Sequence, residues 1–105
     1  MLIIRGVNVF PTQIEEIVLE HAQLSGQYQV LVTRNGLLDE VAVKCELQPA
    51  VGPLGSGELR EIGAWVQHRI KTMVGISTEV SVLAPETIER TLTGKARRVI
   101  DKRPR

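Results

Sequence analysis

The run Tyr28-Gln29-Val30-Leu31-Val32-Thr33, followed by Asn35-Gly36 and then by Val41-Ala42-Val43-Lys44-Cys45-Glu46-Leu47, decides the fold. Apolar side chains recur at every second residue, the repeat of a strand with one buried face. Tyr28, Val30 and Val32 share one face of the first arm. In the second arm Val41, Val43, Cys45 and Leu47 share a face, while Ala42, Lys44 and Glu46 point the other way. Asn35-Gly36 tolerates the positive φ angles of a tight reversal, so residues 28–47 are predicted to form a β-hairpin. Cys45 falls on the apolar face and reads as a buried structural thiol rather than a nucleophile.

On either side of the hairpin the period lengthens to that of a helix. Upstream, Pro11 stands where a first-turn proline loses no hydrogen bond. Ile14, Ile17, Val18 and Ala22 form one stripe, Glu15 and Glu16 face the positive end of the helix dipole, and Ser25-Gly26 ends the segment. Downstream, Gln48 to Gly57 is a loop rich in proline and glycine, whose glycines do not match a dinucleotide fingerprint. A second helix carries Leu59, Ile62, Val66, Ile70 and Met73 on one stripe, with Trp65 at its border and Gly75 as the stop. Thr78, Val80 and Val82 alternate as a last strand. Leu2-Ile3-Ile4-Arg5-Gly6 reads as a first strand entering a tight loop.

The predicted class is therefore α+β: a small antiparallel or mixed sheet with two helices, in ferredoxin-like βαββαβ order, plus a basic C-terminal segment. At 105 residues, 43% of them hydrophobic, the chain is expected to be a single domain over 1–105. A domain of this size buries roughly 60–70% of its unfolded surface, so a core forms without staples. One cysteine excludes an internal disulfide framework. No apolar run approaches the ~20 residues of a membrane span, so no membrane partner is expected.

The formal charge of +1 conceals an asymmetry. Residues 1–89 hold six Lys/Arg against eleven Asp/Glu, a net of −5, whereas residues 90–105 reach +6. An acidic body with a basic end points to an anionic partner or to a solvated tail. His21 and His68 lie on different helices without a ligand cluster, so no metal site is expected. Adjacent carboxylates such as Glu15/Glu16 and Asp39/Glu40 read as solvated pairs.

The remaining chemistry lies in Arg90-Thr91-Leu92-Thr93-Gly94-Lys95-Ala96-Arg97-Arg98. Glycine before lysine can turn the backbone sharply and present one long cation. It is not a Walker loop, because Glu89 replaces the first glycine and Ala96 the magnesium-binding hydroxyl. The stretch resembles the C-terminal signature of the acyl-adenylate-forming enzymes, roughly P-R-T-x-x-G-K-x-x-R. About 85 residues earlier, Ile4-Arg5-Gly6-Val7-Asn8-Val9-Phe10-Pro11 and Gln13-Ile14-Glu15 resemble the segment that opens the small domain of the same superfamily, in wording closest to the phenylacetate–CoA ligases.

That resemblance implies the C-terminal lid domain of an aryl-acid–CoA ligase, with ATP (as its Mg complex) and coenzyme A as substrates of the full enzyme. A large N-terminal adenylation domain is then expected in the same chain, the fragment alone is expected to be inactive, and the compartment is cytoplasmic. By the family pattern Lys95 is the adenylation lysine, while Arg5, Gly6 and Val7 form the thioester-forming loop along the coenzyme A tunnel. Arg90, Thr91, Gly94 and Arg98 would support the lysine loop, and the basic end would face nucleotide and coenzyme A phosphates. Glu89 departs from the usual proline, Gln13 from a frequent glutamate, and the usual hinge position precedes this segment. The alternative is a free-standing ferredoxin-like module binding a small ligand or RNA. Against RNA stands the aromatic content, Phe10, Tyr28 and Trp65, none in an RNA-recognition run, so no nucleic-acid partner is expected.

Overall fold

Arg5 and Gly6 turn the N-terminal chain back on itself. In the computed structural model, which describes residues 2–52, 54–85, 87 and 99–103, β1 (Leu2–Ile4) pairs antiparallel with β2 (Val7–Val9), Ile4 opposite Val7. Both turn residues have positive φ, 52° and 77°, as a two-residue I′ hairpin requires. Sequence alone suggests one strand here. The second arm is three residues long, too short for its alternation to register, yet it buries Val9 as β1 buries Ile4.

The first helix, α1 (Pro11–Glu20), starts where Pro11 predicts and buries Ile14, Ile17 and Val18. Its N-terminus is satisfied by Gln13, whose Oε1 accepts the Phe10 N–H at 3.0 Å. Glu15 and Glu16 stand beyond the first turn, which holds no acidic residue. The helix also ends earlier than expected, with His21 as its C-cap. Ala22 is therefore off the stripe, and Ser25-Gly26 belongs to the next strand.

That strand, β3 (Leu24–Asn35), pairs antiparallel with β4 (Leu38–Leu47) as the predicted hairpin. Its register slips between Leu24 and Tyr28. Gln48 secures the irregular end, its Nε2 donating to Ala22 O at 3.0 Å and Leu24 O at 3.1 Å. At the other end Gly36-Leu37 is the loop, and Gly36 takes positive φ while Asn35 does not. Glycine at the first central position suits a II′ turn, which needs one left-handed residue instead of two. The buried faces are those the alternation predicts, except that Glu46 is 1% exposed. Its strand is flanked on both sides, with Leu83 paired opposite Glu46.

The second helix, α2 (Ser56–Met73), buries Ile62, Gly63, Val66 and Ile70. Met73 departs from the predicted stripe at 58% exposure, because the chain leaves the helix at Val74 and reverses through Gly75 at φ 93°. It returns as β5 (Glu79–Leu83), parallel to β4. Helix α2 lies on β5 and α1 on β3, and the two helices touch. Arg69 of α2 also meets Glu20 of α1 at 3.0 Å.

The α+β class stands, with a different source for the fourth sheet strand. The large sheet has the order β5-β4-β3-β6, where β6 (Val99–Asp101) runs parallel to β3. β1 finds its partner two residues away in β2 and leaves the β3 edge to the basic segment. Arginines and lysines around Val99-Ile100 mask that short strand in the sequence.

Candidate functional site

The tip of the β1–β2 hairpin is tied to the far end of the large sheet. Arg5 Nε donates to the backbone oxygen of Asp39 at 2.8 Å. The Asp39 carboxylate accepts from Arg34 Nε at 3.1 Å through Oδ1 and from Arg103 Nη1 at 3.1 Å through Oδ2. Arg103 also donates to Ile3 O at 2.8 Å and grips Asp101 through Nε at 3.0 Å and Nη2 at 2.8 Å. The hydrogen bond from Arg34 is the largest influence holding the Asp39 carboxyl below the usual carboxylate range. Burial opposes it as the second-largest influence, and the Arg5 backbone N–H and the Arg103 guanidinium each lower the carboxyl further.

This cluster corrects the expectation of a solvated Asp39/Glu40 pair. Glu40 is exposed, but the Asp39 side chain is 12% exposed and the Arg103 side chain 15%. Strand alternation separates the neighbours onto opposite faces, so adjacency in sequence is no guide to shared solvent. Arg34, Asp39 and Arg103 carried no motif signal.

Of the three loop residues expected along the coenzyme A tunnel, Arg5 and Gly6 sit exposed at the tip, whereas Val7 packs against the core. A Cβ at Gly6 would meet nothing within 4 Å, so what demands glycine inside this domain is its φ of 77°. Beside the tip, Arg5, Leu31, Thr33, Ala42, Ser77 and Glu79 line an open depression of about 380 Å³ on the sheet face away from the helices. Arg90, Thr91, Gly94, Lys95 and Arg98 lie outside the described residues.

The attachment points of their segment are described. The chain leaves the sheet after Leu83, opposite Glu46, and rejoins it at Val99, opposite Val30. Asp39 and Glu46 are seven positions apart on β4, about 23 Å at ~3.3 Å per residue. Arg5 is therefore fastened at one end of the sheet, and the segment containing Lys95 departs from the other.

Elsewhere His68 is exposed and His21 is structural. His21 meets Trp65 edge-on with ring centroids 5.0 Å apart, and its Nδ1 accepts the Gln23 N–H at 3.2 Å. Among the described residues no group of three His, Cys, Asp or Glu is placed to hold a metal ion, and no helix is long and apolar enough to cross a membrane.

Residues 6–103 match the model of the AMP-binding enzyme C-terminal domain. The chain belongs to that family. Similarity within the AMP-binding C-terminal family is strong at full chain length. The phenylacetate-coenzyme A ligase of Pseudomonas putida is 50% identical over 103 residues, covering 98% of this chain and 23% of the relative. A domain of phenylacetate-coenzyme A ligase from Bacteroides vulgatus ATCC 8482 superposes with a TM-score of 0.87 at 26% identity, covering 99% of this chain and 93% of that one. A 2-hydroxyisobutyryl-CoA ligase, solved with 2-HIB-AMP and CoA in its thioesterification state, gives 0.81 at 33% identity over 95% of this chain and 20% of that one. The chain spans about a quarter of the length of the curated ligases it matches.

Proposed function

We propose that residues 1–105 are the C-terminal lid domain of an aryl-acid–CoA ligase, with phenylacetate as the acid. In this reading a large N-terminal domain binds ATP, as its magnesium complex, and the carboxylic acid. The carboxylate attacks the α-phosphorus of ATP, giving acyl-adenylate and releasing pyrophosphate. The thiol of coenzyme A then adds to the acyl carbonyl, loses its proton and expels AMP. ATP and coenzyme A are cytoplasmic substrates, which makes the cytoplasm the compartment of this reading.

The two halves use different loops of the lid. Lys95 supplies a fixed positive charge to the acid carboxylate and the transferring phosphate during adenylation. Arg90, Thr91, Gly94 and Arg98 shape its loop. Arg5 and Gly6 present the hairpin tip to the pantetheine arm during thioester formation, with Val7 anchoring the tip in the core. The observation that carries this reading is the family match over 6–103. The ~23 Å along β4 from Asp39, where Arg5 is fastened, to Glu46, opposite which the segment carrying Lys95 departs, agrees with it: one rigid lid needs a reorientation to bring each loop to the same reacting atoms.

The test is Lys95→Ala in the full-length enzyme. Pyrophosphate release should fall by about 10²–10³-fold, the usual loss of one electrostatic group at developing charge. Thioester formation from supplied acyl-adenylate should persist. Equal loss of both halves would remove the division of labour.

A further inference from the structure

Arg103 lies eight residues beyond Lys95, yet its hydrogen bonds reach the opposite end of the chain. Nη1 donates to Ile3 O at 2.8 Å and to Asp39 Oδ2 at 3.1 Å, while Nε and Nη2 hold Asp101 of β6. On the other side of Ile4, Arg5 Nε donates to the Asp39 carbonyl at 2.8 Å. The Arg5–Gly6 turn is thus fastened, through residues 3 and 5, to Arg103 and Asp39. We propose that Arg103, held by Asp39, is a positioning residue that fixes the Arg5–Gly6 turn relative to the sheet and so serves the thioester-forming half of the reaction. This rests on the reading of that turn as the thioester loop.

The arrangement differs from an ordinary surface ion pair. Both side chains are largely covered, and one acceptor, Ile3 O, is a neutral backbone atom that long-range charge alone does not select. A planar guanidinium can address Ile3, Asp39 and Asp101 together, which a single ammonium cannot. Folding of the hairpin has a separate source, since Ile4 and Val9 are completely buried. Loss of Arg103 therefore leaves the hairpin docked but removes one of the two tethers of its tip, with the Arg5 bond to Asp39 O alone remaining. Ångström-scale misplacement at a reacting centre slows chemistry far more than it lowers stability.

The experiment uses the full-length enzyme with Arg103→Lys and Arg103→Gln, and two measurements. In the first, amide hydrogen exchange over residues 3–9 should accelerate about tenfold in both variants with residues 56–73 unchanged, the pattern of a local opening. In the second, adenylation should stay within about threefold of the parent, while thioester formation from supplied acyl-adenylate falls about tenfold or more. The lysine variant keeps the charge, so full rescue by it would overturn the geometric argument. Unchanged exchange over 3–9, or equal loss in both half-reactions, would overturn the proposal as well. If the parent enzyme forms no acyl-adenylate, the ligase reading fails, and the exchange measurement alone decides whether Arg103 fixes the turn.

Discussion

A methyl group on Gly63 would stand 3.4 Å from the carbonyl oxygen of Val80. That is ordinary van der Waals contact, so α2 lies as close to β5 as an alanine would allow and no closer. Gly63→Ala fits the space and removes the backbone entropy of a helical glycine. It should stabilise the domain by up to about 1 kcal/mol. Gly63→Leu would push the helix off β5 and should cost about 1–3 kcal/mol. Urea midpoints compare the two, and a destabilised alanine variant would mean that the contact is tighter than it looks.

Gly6 presents the opposite case, with open space and a constrained backbone. A Cβ there meets no neighbour, but φ is 77°. Gly6→Ala should cost about 1–2 kcal/mol from left-handed strain alone. Gly6→Asn should cost less, because asparagine adopts that region more readily. Equal losses in thermal unfolding would assign the cost to something other than φ.

Acid should weaken the Asp39 cluster in a defined direction. The Asp39 carboxyl is held below its ordinary range, so the unfolded chain binds its proton first as pH falls. The stabilisation it brings is full above the unfolded value, near ~3.9, and is lost as pH drops through the lower folded value. Denaturation midpoints of the parent and Asp39→Asn should differ most above about pH 5 and converge in stronger acid. A pH-independent difference would contradict the role given to the charge.

Cys45 behaves as an acid in the opposite sense. Burial pushes its thiol up to about 12, so the folded state favours the neutral form. Its contribution is intact below the unfolded value of about 8.5 and declines as pH rises from there toward the folded one. A thiol reagent at pH 8 should leave native Cys45 untouched and label it completely in urea. Rapid native labelling would place the residue nearer the surface than Val43 and Tyr28, its buried neighbours.

The parts of the fold legible in the sequence are those with enough repeats to show a period. The β3–β4 hairpin and the Ile62-Val66-Ile70 stripe of α2 are examples. Three-residue strands carry no such statistic, so Val7-Asn8-Val9 looks like loop and Val99-Ile100-Asp101 like tail. Their pairing depends on partners that sequence proximity reveals for β2 but hides for β6, whose neighbour Val30 is far upstream. Arg5 and Gly6 are legible as a turn through glycine and as a site through resemblance. Asp39 and Arg103 are not, because what defines them is convergence in space of strand ends 64 residues apart.

β6 also changes what kind of object the lysine-bearing stretch is. With β5 and β6 on opposite edges of a four-stranded sheet, residues 84–98 bridge three strand spacings, about 14 Å at ~4.8 Å each. A stretch moored at both ends in one sheet is an internal connection of the domain rather than a tail. Trimming the chain after Arg98 would do more than remove charge: it would take away β6, the second mooring.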